Sequence, residues 1–211
     1  RIGERMALLP KTGVSPIMTK MEKICVLGSG TVRMNSPVYR QAEELGRALA
    51  RAGFSVCHGG YGGVMEAVAK GCREAGGHNS GVTIAGKRRP SNAKRHGNSL
   101  FVASRVPRKN PYTSAEIKVP SWEKRLLKLI EMGDAYVFLD GATGTMNELF
   151  FVWEMANRGL HAKPILLLGK ELHQLVKFLK KNGMVKIPEN FHRVATIQRV
   201  VKYLVERRGR D

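Results

Sequence analysis

Residues 139–149 read LDGATGTMNEL, and their order decides what kind of fold the chain builds. The stretch AYVFL at 135–139 is a short unbroken apolar run, of strand length rather than helix length. Glycines 141 and 144 punctuate it, and the chain from Thr145 to Arg158 reads as a helix. A buried strand that runs through a glycine turn straight into a helix is one half of a βαβ unit. Two roles compete for that turn. It is either a tight connection with a helix cap, or a cradle for phosphate with the carboxylate of Glu148 beside it.

The same unit recurs along the chain. KICVLG (23–28) is a strand ending in glycine, and GSGTVRMN follows as a loop. Ser36 then caps a helix whose first residue is Pro37, with Val38, Ala42, Leu45 and Leu49 on one face and Gly53 as its stop. FSVCH (54–58), GGYGG and a helix from Val64 to Ala75 repeat the order, and GVTIA (81–85) is a third strand. Residues 86–120 are rich in loop formers, with a short strand at LFVA (100–103). Ser121 opens a helix through Met132, and KPILLLG (163–169) is the strand after the opening unit. A helix from Glu171 to Asn182 follows, and Thr196 caps a last helix with Ile197, Val200, Val201 and Leu204 on its inner face. Near-continuous apolar strands alternating with helices predict a parallel sheet covered on both faces, a doubly wound, Rossmann-like α/β fold. Ligands of such folds bind beyond the carboxyl ends of the strands.

Composition bounds the rest. The chain has 211 residues, 43% of them hydrophobic, enough for one substantial core. The expected organisation is a flexible N-terminal extension at 1–22, a single nucleotide-binding domain at 23–207 and a basic tail at 208–211. No apolar run approaches the roughly 18 residues of a membrane helix, so no membrane partner is expected. Cys25, Cys57 and Cys72 are odd in number and lie in apolar segments, which suggests free thiols in a reducing cytoplasm. The six histidines show no ligand spacing, so no metal site is expected. The net charge is +19, and the run from Lys87 to Lys109 holds eight Lys/Arg and no acid. Such a surface is either simply solvated or attractive to polyanions. Only Phe101 supplies an aromatic ring within that run, so the expectation is weak, non-specific nucleic-acid binding.

Three glycine turns follow strands: 28–31, 58–63 and 140–145. In a parallel sheet all three lie on the carboxyl edge, where helix N-termini offer unpaired N–H groups and partial positive charge. Any one turn needs glycine for connection alone; three on one edge point to an anion. Gly28, Ser29, Gly59, Gly60, Gly63, Gly141, Thr143, Gly144 and Thr145 are therefore the candidate phosphate-binding residues. GxGxxG is half met, because residue 33 is arginine, and no Walker sequence is present, which disfavours classical NAD and P-loop sites. Arg125 and Glu148, each expected in the first turn of its helix, fall on the same edge. Each also has a structural explanation. Thr145 and Glu148 match the capping box T-x-x-E, and Arg125 would serve as a surface residue.

These residues resemble the LONELY GUY family of nucleoside 5'-monophosphate phosphoribohydrolases. Residues 140–148 correspond to its PGGxGTxxE element, HGGYGGVM (58–65) to its upstream glycine turn, and Arg125 in WEKRL to the arginine of its MHERK-like helix. DAYVFL, NELFFVWEMANRG and KPILLLG also look like this family. The resemblance implies hydrolysis of the N-glycosidic bond of a nucleoside monophosphate, of cytokinin riboside or AMP type, to free base and ribose 5-phosphate. It implies a phosphate held by the amides of Gly141, Gly144 and Thr145 and by the Thr145 hydroxyl. Glu148 would stabilise the oxocarbenium ion or position water, and Arg125 would orient the substrate. It implies a homodimer and no cofactor, neither PLP nor metal. Three positions depart from the pattern: Asp140 sets a carboxylate beside the expected phosphate site, Ala142 replaces a glycine expected at positive φ, and Leu126 replaces a lysine. The chain is also similar to molybdenum-cofactor carriers, whose pattern GGYGGVMEAVAKG fits, and which imply a non-catalytic binder of a phosphorylated ligand.

Overall fold

Strands with apolar side chains on both faces must be covered twice, and the sheet of this protein is. In a computed structural model, which describes residues 22–85 and 107–209, five strands are central or nearly so. They are β1 (Lys23–Leu27), β2 (Ser55–His58), β3 (Asn79–Ile84), β5 (Ala135–Phe138) and β6 (Ile165–Leu167). With β4 (Ala115–Val119) and β7 (Phe191–Arg193) at the edges, they form one seven-stranded sheet of order β4-β3-β2-β1-β5-β6-β7. Every pairing is parallel. Alternate residues of β1 enter opposite cores. Ile24 and Val26 pack beneath α1 (Pro37–Arg51), α2 (Val64–Glu74) and α6 (Ile197–Arg208). Cys25 and Leu27 pack beneath α3 (Trp122–Met132), α4 (Thr143–Asn157) and α5 (Lys170–Lys181). The doubly wound architecture follows directly from that two-sided burial.

Local chemistry explains most boundaries. The Ser36 hydroxyl accepts from Tyr39 N at 3.2 Å with Pro37 as the first helical residue, and Thr196 accepts from Arg199 N at 3.3 Å. The buried face of α1 includes Gly46, above which a Cβ would stand 2.2 Å from Val68 O; α1 and α2 touch backbone to backbone there. Cys25, Cys57 and Cys72 are buried free thiols.

Three features differ from the sequence expectations. First, β4 lies inside the segment expected to be loop. Its Glu116 and Lys118 alternate with half-buried Ala115, Ile117 and Val119, an edge-strand pattern with no apolar run to reveal it. Second, β7 is only three residues long and was not anticipated. Third, α4 begins at Thr143, two residues before the expected start, with Ala142 as its cap. The expected strand at 100–103 lies outside the described residues, as do residues 1–21 and 210–211.

Candidate functional site

The strand order turns at β1, with β2 on one side and β5 on the other, and the connections leaving these strands splay apart at the carboxyl edge. A cleft of about 370 Å³ opens there. Of the expected phosphate-site residues, Gly28, Ser29, Gly59, Gly144 and Thr145 line it, and so do Arg125 and Glu148. Gly60, Gly63, Gly141 and Thr143 are not among its lining residues, and their geometry shows why.

Gly60 and Gly63 shape the second turn. Both adopt positive φ (80° and 66°), and Gly63 is packed on the backbone of Ser29 and Gly30. Val64 N donates to Ser29 O at 2.8 Å, which ties the first turn to the second. Gly141 lies beneath the cleft wall: a Cβ there would meet Thr145 Oγ1 at 2.1 Å and Ser29 N at 2.8 Å. Ser29 N donates to Asp140 O at 3.2 Å, joining the first turn to the third. Thr143 is exposed as the first residue of α4. The three glycines support the cleft from behind, and Thr143 lies outside it.

The earlier start of α4 changes the role of Glu148. With Ala142 as the cap, Thr145 is the third helical residue and Glu148 the sixth, so the expected T-x-x-E capping box does not form and Glu148 sits in the second turn. Among the described residues, no side chain caps this helix. Met146 N donates to Ala142 O in the first intrahelical hydrogen bond, so the N–H groups of Thr143, Gly144 and Thr145 have no intrahelical acceptor. The space above Gly144 is open for 4 Å around. A bare, glycine-bearing helix N-terminus thus faces the cleft, which suits an anion.

Two of the sequence departures resolve at the same place. The Asp140 carboxylate turns away from the cleft and accepts from Leu172 N at 3.0 Å, capping α5, whose own cap residue is Gly169. The expectation of a carboxylate beside the phosphate site is therefore corrected. Ala142 has φ −87°, so no glycine is required there. Neither Gly141 nor Gly144 takes positive φ; the former is demanded by close packing alone.

Arg125 is buried, and most of its donors are already used. Its Nε donates to Val82 O at 3.0 Å and Gly59 O at 3.2 Å, and its Nη2 donates to Gly59 O at 2.7 Å and Met65 Sδ at 3.4 Å. A Cβ on Gly59 would stand 1.6 Å from Nη2, so glycine is what admits the guanidinium. Only Nη1 remains directed at Glu148, 3.7 Å from Oε1. Burial lowers the arginine pKa, opposed by the Glu148 charge. Burial also pushes the Glu148 carboxyl up from 4.5 to about 7, with Arg125 pulling the other way. Desolvation outweighs the ion pair because 3.7 Å is too long for a hydrogen bond.

The turn that receives Arg125 is braced by His58. Gly60 N–H donates to its Nδ1 at 3.0 Å, so the proton resides on Nε2, which donates to Asn79 Oδ1 at 3.0 Å. Burial drops its pKa to about 4 and keeps the ring neutral. Asn110 closes the network through Gly60 O and Tyr61 O. Sequence reasoning missed Tyr61, Met65, Pro107 and Trp122, which also line the cleft. One signal was available: Trp122 and Arg125 stand three apart on α3 and so share a helix face. Among the described residues, no group of three or more His, Cys, Asp and Glu is placed to hold a metal.

Known proteins share this framework. A cytokinin riboside 5'-monophosphate phosphoribohydrolase of Rhodococcoides fascians is 29% identical over 163 residues, covering 76% of this chain and 75% of that protein. The crystal structure of the structural-genomics target TM1055 superposes with a TM-score of 0.64 at 27% identity, over 88% of this chain and 99% of that one. A molybdenum cofactor binding protein from Rippkaea orientalis shares the fold, with a TM-score of 0.63 at 19% identity over 90% and 98% of the chains. The sequence profile of the SLOG cluster4 family matches residues 21–195, and the chain therefore belongs to that family.

Proposed function

We propose that this protein hydrolyses the N-glycosidic bond of a nucleoside 5'-monophosphate, releasing the free base and ribose 5-phosphate. The observation that carries the reading is Glu148, a shielded carboxylate with pKa about 7 in a cleft that ends on the open N-terminus of α4. The 5'-phosphate binds at the first-turn amides of α4, with the Thr145 hydroxyl and Ser29 beside it. That places the ribose between the phosphate and Glu148. A water attacks C1', Glu148 takes its proton, and the C1'–N bond breaks with its electron pair going to the base. The base leaves with a proton, which Glu148 can return. A carboxylate titrating near neutrality is matched to both transfers. Arg125 contributes one free edge, Nη1, which keeps a positive charge beside Glu148; its other donors hold the Gly59 turn. The name of the Rhodococcoides fascians relative supports the same chemistry.

The test is incubation with a panel of purine and pyrimidine nucleoside 5'-monophosphates, following released base by chromatography. Release from at least one nucleotide, and none from the corresponding nucleoside, is the expected outcome. Binding of the nucleotides without any release would replace the hydrolase with a carrier of a phosphorylated ligand.

A further inference from the structure

The lining of the cleft falls into two chemical groups. One offers backbone amides and hydroxyls at Ser29, Gly144 and Thr145. The other gathers Tyr61, Met65 and Trp122 around the Arg125 guanidinium. We propose that the Trp122 indole is the platform on which the base of the ligand stacks, so that the cleft selects nucleoside monophosphates with an intact aromatic base over sugar phosphates. This rests on the nucleotide reading of the site and adds to it a specificity-determining residue and a substrate class.

Among the described residues, Trp122 packs on Tyr61 and Arg125 of the cleft rather than into a core. It is the first residue of α3 and only half-buried, and it belongs to neither of the two hydrophobic cores. Tyr61, by contrast, is 4% exposed and its hydroxyl already accepts from Ile84 N, so it serves as backing rather than as a contact surface. The indole is held before any ligand arrives. The Arg125 guanidinium lies 5.3 Å from the Trp122 ring centre and 5.2 Å from that of Tyr61, and the two rings are 6.1 Å apart at 58°. Arg125 is in turn anchored by carbonyls of β3 and of the Gly59 turn. A half-exposed indole fixed against a buried cation loses little freedom on binding, which favours stacking of a flat ring.

The chain has two tryptophans, which makes the test direct. Trp153 is 2% exposed, donates to Lys186 O and lies outside the cleft, so a ligand-dependent fluorescence change reports Trp122. Binding of AMP and of ribose 5-phosphate is measured on the full chain carrying Glu148→Gln, which slows turnover. AMP is expected to quench the tryptophan signal and ribose 5-phosphate to leave it unchanged. Trp122→Ala should weaken AMP roughly 5- to 150-fold, the range for loss of one base–aromatic stack, while ribose 5-phosphate affinity stays unchanged. Trp122→Phe should recover much of the loss. Trp122→Leu, which keeps apolar bulk without a π-face, should resemble alanine and guards against a misfolded alanine variant. If AMP and ribose 5-phosphate weaken together, or neither weakens, Trp122 is not the platform although the nucleotide site stands. If wild type binds neither AMP, ribose 5-phosphate nor inorganic phosphate, the nucleotide reading fails and this proposal falls with it.

Discussion

Replacing Glu148 by glutamine separates a helix cap from a buried, titrating carboxylate. In the folded protein the Glu148 carboxyl titrates near pH 7 rather than 4.5, with the pull of Arg125 already included. Below pH 4.5 the folded and unfolded chains both carry the proton and the residue adds no pH dependence. Between the two values only the folded chain holds it, so stability falls as pH rises through about 7. At about 1.4 kcal/mol per pKa unit, the full effect is roughly 3 kcal/mol. Glutamine resembles the protonated acid at every pH. Glu148→Gln should therefore match wild type at about pH 4 and exceed it by roughly 3 kcal/mol near pH 8.5, a rise in Tm of roughly 6–12 °C for a chain of this size. Thermal unfolding of both proteins across that range is the assay, and the other titrating groups cancel in the difference. Activity should move oppositely, falling roughly 10²-fold or more because the transition state loses its carboxylate. A stability difference from wild type that is the same at every pH, including no difference, would refute the reasoning and restore the cap, because glutamine also serves in a capping box.

Three further outcomes are expected. Arg125→Met strips the buried carbonyls of Gly59 and Val82 of a donor and leaves Glu148 without its cation. It should cost about 3–5 kcal/mol in urea unfolding, and any residual activity should titrate at higher pH than wild type. Asp140→Ala removes the carboxylate that receives Leu172 N, so stability should fall by about 0.5–2 kcal/mol while nucleotide binding is unaffected; weakened binding would put Asp140 in the cleft. Binding to a random single-stranded DNA should be weak and lose roughly 10³-fold between about 50 and 200 mM salt if several phosphates are contacted; salt-independent binding would dismiss the +19 charge as its cause.

Most of the architecture was legible in the chain because buried parallel strands leave uninterrupted apolar runs. KICVL, AYVF and ILL are each wholly or almost wholly buried, and a glycine follows each within a few residues. Caps with a strong chemical signature, Ser36 with Pro37 and Thr196, were legible for the same local reason. The edge strands were not. AEIKV pairs along one side only and carries charges at every second position, so nothing local separates it from loop.

The candidate site divides along the same line. That Arg125, Glu148 and three glycine turns share one edge follows from sequence order, because parallel strands put all their carboxyl ends together. What each residue does there is a matter of distances that no local pattern encodes. The start of α4 at Thr143 removed Glu148 from the cap, and the path to Leu172 N took Asp140 out of the cleft. The guanidinium of Arg125 is committed to backbone carbonyls 43 and 66 residues away in sequence. In the sequence Trp122 is a lone aromatic at a helix start, and it becomes a wall only where Tyr61 and Arg125 meet it. Hydrophobic periodicity and turn chemistry act over a few residues and so are written in the chain. Burial of a charge, the partner that meets it and the resulting pKa depend on contacts across the sheet, and only the folded structure decides them.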